Sequence, residues 1–87
     1  MYNCVVMLES GNYVFSVFRM LQKKGYCFEV ISTPCQVAKG GCGYCLKFPE
    51  DYKDLVIDEA TKSGFPIREM YRIVPMFNKN KYEKLDL

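Results

Sequence analysis

Three cysteines, Cys35, Cys42 and Cys45, fall inside the stretch TPCQVAKGGCGYC at positions 33–45, together with Gly40, Gly41 and Gly43. Cysteine inside a strand serves as a small hydrophobe, but a glycine-rich connection has no core to fill, so sulfur placed there points to chemistry. The thiolate is the form that attacks electrophiles and binds metals. It is favoured by a helix N-terminus, a neighbouring Lys or Arg, and backbone N–H groups turned inward. Glycines allow that inward turn, and Lys39 supplies a nearby cation. Cys42, with glycine on both sides, is expected to be the most accessible sulfur. Such a thiolate could accept sulfur or selenium as a persulfide or selenyl-sulfide, with Cys35 or Cys45 as a resolving partner.

Other readings of the same sulfurs stay open. CGYC is a C-x-x-C, but the dithiol oxidoreductase motif opens a helix, whereas here the second cysteine enters an expected strand. Cys35, Cys42 and Cys45 also form a C-x6-C-x2-C group that could hold zinc or an iron–sulfur cluster. The chain has no histidine, so a fourth ligand would have to be Cys4 or Cys27, or come from a second copy. A structural protein-interaction module, with the cysteines as ordinary packing residues, is the plainest alternative. Cys4 and Cys27, both expected inside strands, are assigned to packing.

Composition excludes several classes. Without histidine, and without a Ser, Asp or Glu constellation at recognisable spacing, no general base for hydrolysis is evident. KGGCG lacks the Walker pattern. A net charge of +2 is too mild for a nucleic-acid footprint. No segment approaches the apolar length of a bilayer span, and the amino end MYNCVVMLES reads as a strand rather than a signal peptide. The expected setting is the cytoplasm, where thiols stay reduced; no cofactor is expected.

These residues need elements to position them. Residues 2–9 read as a first strand. From Tyr13 to Lys24, Val14, Val17, Phe18 and Leu21 recur at helical spacing, with Ser10 or Asn12 as cap and Gly25 as the left-handed stop. YCFEVIST and YCLKFP are the second and third strands, a second helix runs from about Asp51 to Ser63, and FPIREMYRIV is the fourth strand. The order β-α-β-β-α-β predicts an α+β, ferredoxin-like domain over residues 1–75. It would have a four-stranded antiparallel sheet with both helices on one face, and residues 76–87 as a tail or short helix. In that topology the loop leaving the second strand lies beside the start of the first helix, near SGN. The helix-free face could leave Tyr and Met side chains to pair two copies.

The run LESGNYVFSVFRMLQKKGYCFEVISTPCQVAKGGCGYCLKF resembles the small bacterial selenium/sulfur carrier protein-like family, over roughly residues 4–72. The pieces that carry the likeness are Glu9-Ser10 before the helix, Ser32-Thr33-Pro34, and Cys42-Gly43 before an apolar strand. The resemblance implies that Cys42 carries the transferred atom and that Gly43 holds the turn open. Ser10, Asn12, Thr33, Pro34, Lys39 and Gly41 would then surround the incoming group. Where similar proteins have arginine after the Thr-Pro pair, this chain has Cys35, which suggests cycling through a Cys35–Cys42 disulfide. It further implies a carrier rather than a self-sufficient enzyme, working between a cysteine desulfurase-like donor and an acceptor enzyme.

Overall fold

The computed structural model describes residues 2–38 and 43–86. Its elements are β1 (Asn3–Leu8), α1 (Gly11–Lys23), β2 (Glu29–Ser32), β3 (Tyr44–Pro49), α2 (Lys53–Lys62), β4 (Ile67–Pro75) and β5 (Asn80–Lys84), with a single 3-10 turn at Glu50–Tyr52 ahead of α2. The strands form one sheet in the order β2-β3-β1-β4-β5, and every neighbouring pair is antiparallel.

Two findings depart from the sequence expectation. The sheet has five strands rather than four, because residues 80–84 of the segment read as a tail or short helix pair with β4 from Tyr71↔Lys84 to Pro75↔Asn80. The second helix also begins later than Asp51, since the chain leaving Pro49 first makes the 3-10 turn.

β1 sits in the middle of the sheet and is buried on both faces, which is why it reads as a continuous apolar run. Cys4, Val6 and Leu8 face the helices. They pack with Val14, Val17 and Leu21 of α1, Val56 and Ala60 of α2, and Leu46, Phe48 and Met70 of the sheet. Val5 and Met7 alternate to the opposite face, where they join Cys45, Tyr71, Ile73 and a residue from outside the sheet, Val37.

Both helices end in the same way. Gly25 takes φ +96°; its amide donates to the Gln22 carbonyl (3.0 Å) and the Tyr26 amide to that of Leu21 (3.0 Å). Gly64, at φ +78°, repeats the pattern, with its own amide donating to Thr61 and that of Phe65 to Ala60. This two-bond closure requires a left-handed residue after the cap, a conformation that costs other L-residues about 1–2 kcal/mol. It turns Tyr26 and Phe65 back onto the helix-side core. At the other end of α1, the Ser10 hydroxyl accepts a bond from the Asn12 amide (3.2 Å), the capping role expected of it.

Candidate functional site

The β2–β3 connection leaves the sheet after Ser32, which is registered with Tyr44. One further bond closes its base: the Thr33 amide donates to the Gly43 carbonyl at 3.0 Å. Pro34 then stops the ladder, since it has no N–H to offer. Its carbonyl instead accepts from the amides of Val37 (3.0 Å) and Ala38 (2.9 Å), and this bonding coils residues 34–38 into a tight turn.

The turn folds across the helix-free face of the sheet. Val37 is only 2% exposed and packs in the cluster of Val5, Met7, Cys45, Tyr71 and Ile73. Burying a valine side chain this fully is worth about 1.5–2 kcal/mol, enough to fix the first half of a polar loop to the sheet. The Tyr44 ring, directly after Gly43, meets the Phe15 ring edge-on at 5.2 Å between centroids. The base of the loop is thus brought beside the N-terminal part of α1.

The sequence-selected residues fall into distinct environments. Cys35 is exposed in the turn, whereas Cys45 is fully buried beneath the loop. Lys39, Gly41 and Cys42 lie outside the described residues. Gly43 is not in the left-handed region, and a side-chain carbon built on it would meet nothing within 4 Å. Its contribution is therefore the carbonyl that holds Thr33, not a conformation only glycine can adopt. Pro34 acts through its carbonyl, and Ser10 and Asn12 are joined by the cap bond. Among the described residues, no group of three or more His, Cys, Asp or Glu side chains is placed to hold a metal.

The remaining cysteines divide in the same way. Cys4 lies in the helix-side core, and its thiol is pushed up to about 11, chiefly by burial and secondarily by the carboxylate of Glu50. Such a thiol stays protonated and inert at neutral pH. Cys27 does not pack inside a strand as expected: β2 starts only at Glu29, and Cys27 is exposed ahead of it.

Two features were missed in the sequence. One is Val37, the sole branched aliphatic residue between positions 33 and 44, a signal that could have marked it as an anchor. The other is a groove of about 360 Å³ between the cysteine loop and the β4–β5 hairpin, lined by Gln36, Val37, Tyr71, Met76, Lys79 and Tyr82 among others.

An α+β protein that suspends a thiol-bearing loop from two strands of an antiparallel sheet is the class these observations define. Residues 3–72 match the family described as "Putative Se/S carrier protein-like". The chain belongs to this family. No curated protein and no solved structure matches it. No helix among the described residues is long and apolar enough to cross a membrane.

Proposed function

We propose that the chain carries sulfur or selenium on Cys42 and relays it between partner enzymes. Membership of the carrier-like family across residues 3–72 is the observation that supports this reading most. The loop framework is consistent with it. Thr33 and Gly43 close the base, Val37 fixes the Pro34–Ala38 turn to the sheet, and the Phe15–Tyr44 contact sets the start of β3 beside the N-terminal part of α1. The first turn of that helix carries no acidic residue, so its partial positive charge favours a thiolate nearby. A ferredoxin-like arrangement of β1 to β4 suits the role, since it brings the β2–β3 connection and the start of α1 to one end of the sheet.

In the loading step the Cys42 thiolate attacks the outer sulfur of a donor persulfide, R–S–SH. A new S–S bond forms on Cys42, the donor S–S bond breaks, and the donor leaves as its thiolate. In the unloading step an acceptor nucleophile attacks the outer sulfur of the Cys42 persulfide, and the Cys42 thiolate leaves. Neither step needs an external oxidant or reductant. The donor would be a cysteine desulfurase-like enzyme and the second partner an acceptor enzyme. In a separate branch Cys35, exposed at the start of the same loop, attacks the inner sulfur of the Cys42 persulfide, expels hydrosulfide and leaves a Cys35–Cys42 disulfide that a partner dithiol must reduce, whereas Cys45 is shielded from solvent.

Intact-mass measurement after incubation with a small persulfide donor tests the proposal. The expected result is one added sulfur on the wild type and none on Cys42→Ser, with Cys35→Ser still loaded. Absence of the adduct on the wild type, or equal loading of Cys42→Ser, would refute it.

A further inference from the structure

The groove between the cysteine loop and the β4–β5 hairpin combines three properties that the carrier chemistry does not require. Its floor is apolar, formed by Val37, Tyr71 and Tyr82. Its rim is cationic: Lys79 lines it, Lys81 borders it from the strand position that alternates away from Tyr82, and neither has an ion-pair partner among the described residues. The adjacent acidic residues are already engaged, Glu69 by Lys84 and the Tyr71 hydroxyl, and Glu83 by Arg72. Beyond the rim, the hairpin tip presents Met76 at 54% exposure and Phe77 at 104%. A bond from the Met76 amide to the Lys79 carbonyl (2.7 Å) closes this tip, so the aromatic ring stands on an ordered turn.

A lone surface apolar residue needs no explanation, but a fully exposed Phe beside an exposed Met, above an aromatic groove, has the composition of a docking anchor. Unpaired lysines around it select the charge of what docks. Most of this surface comes from residues 76–82, which lie beyond the 3–72 stretch matched by the family, whereas Gln36 and Val37 belong to the cysteine loop itself.

We propose that this groove and the Met76–Phe77 tip form a docking site for an acidic segment of a partner protein that carries an apolar side chain. The carboxylates meet Lys79 and Lys81, the apolar side chain enters between Val37, Tyr71 and Tyr82, and the tip inserts into the partner. The partner is thereby held against the loop that bears Cys35. The inference takes from the carrier reading only that a protein partner exists.

The test is run on full-length Cys42→Ser protein under reducing conditions, so that its failure is separate from any failure to carry sulfur. The probes are three synthetic peptides: one of alternating acidic and large apolar residues, the same peptide with Lys for each acidic residue, and the acidic peptide with Ser for each apolar residue. Only the first is expected to shift amide resonances, and those of Val37, Tyr71, Lys79 and Tyr82 should move most. Lys79→Glu with Lys81→Glu should weaken binding about tenfold or more, as should Phe77→Ser, with affinity falling as salt is raised. The site lies at a surface where these changes leave the core intact, and unchanged thermal unfolding verifies this. Equal binding of the basic peptide, binding that survives all three substitutions, or no perturbation of the groove would overturn the proposal. Shifts produced equally by free acetate, which would indicate a small-anion site, or by dilution of the protein alone, which would indicate self-association, would overturn it as well.

Discussion

Val37 from the cysteine loop and Cys45 from β3 lie in one buried cluster on the sheet face opposite the helices. The cluster makes a loop residue part of the hydrophobic core, with one of the loop-proximal sulfurs, Cys45, fully buried in it. Val37→Ala removes two methylenes' worth of buried apolar surface. It is expected to cost about 1–2 kcal/mol and to lower Tm by roughly 5–15 °C, read by thermal unfolding. Exchange of the Val37 amide, now bonded to Pro34, should accelerate more than exchange in β1. Unchanged stability would mean that the loop is not anchored by this side chain.

The described cysteines should separate into two reactivity classes. Cys27 and Cys35 are exposed, whereas Cys4 and Cys45 are fully buried. Brief alkylation of the native protein followed by peptide mapping should label the first pair and leave the second until denaturant is added. Cys4 should be the slowest on raising the pH, because its thiol is held up to about 11. Labelling of Cys4 or Cys45 in the native state would contradict the packing described.

Ser10 offers a choice between two roles, cap and substrate contact. Its bond to the Asn12 amide predicts that Ser10→Ala lowers stability by about 0.5–2 kcal/mol in urea unfolding, with sulfur loading unchanged. Ser10→Asp, which also caps, should restore the stability. Loss of loading in a fully folded Ser10→Ala protein would assign the hydroxyl to the incoming group instead.

The acid limb of stability should depend on Glu50. Its carboxylate accepts two bonds from the Arg72 guanidinium, at 2.7 and 2.5 Å, and this pairing holds it below the ordinary carboxyl value of 4.5. A carboxyl depressed in the folded state binds fewer protons there than in the unfolded chain. Its contribution is therefore present above about pH 4.5 and is lost as the pH falls through the depressed value. Glu50→Gln should lower stability at neutral pH and flatten the decline below that point, as measured by urea midpoints across the acid range. An unaltered acid slope would show that the pair contributes nothing to it.

Periodicity made much of the framework legible. Val14, Val17 and Leu21 announced α1, Gly25 announced its end, and the element order put the base of the cysteine loop beside the first helix. β5 was hidden because Asn-Lys-Tyr-Glu-Lys is an edge strand with only Tyr82 turned to the apolar side, so its polar residues resemble a solvated tail. Cys27 was misplaced because β-rich composition extended β2 toward its N-terminus by residues that do not pair. The burial of Val37 arises from a fold-back onto a distant surface, which no local pattern encodes, although an isolated valine among polar and small residues hinted at it. Cys42, which lies outside the described residues, was marked in the sequence by the glycines on both sides of it.

The fifth strand also bears on solubility. β4 is long and rich in Ile, Met, Tyr and Val, and without a neighbour on its far side it would offer a row of unsatisfied amides and carbonyls to any other copy of the chain. β5 covers that row from Tyr71 to Pro75 and replaces it with a margin bearing Lys81 and Lys84, whose charges discourage stacking between molecules. A chain cut back to the end of β4 would keep the pairings of the other four strands yet expose that edge to other copies, so β5 serves as a gatekeeper.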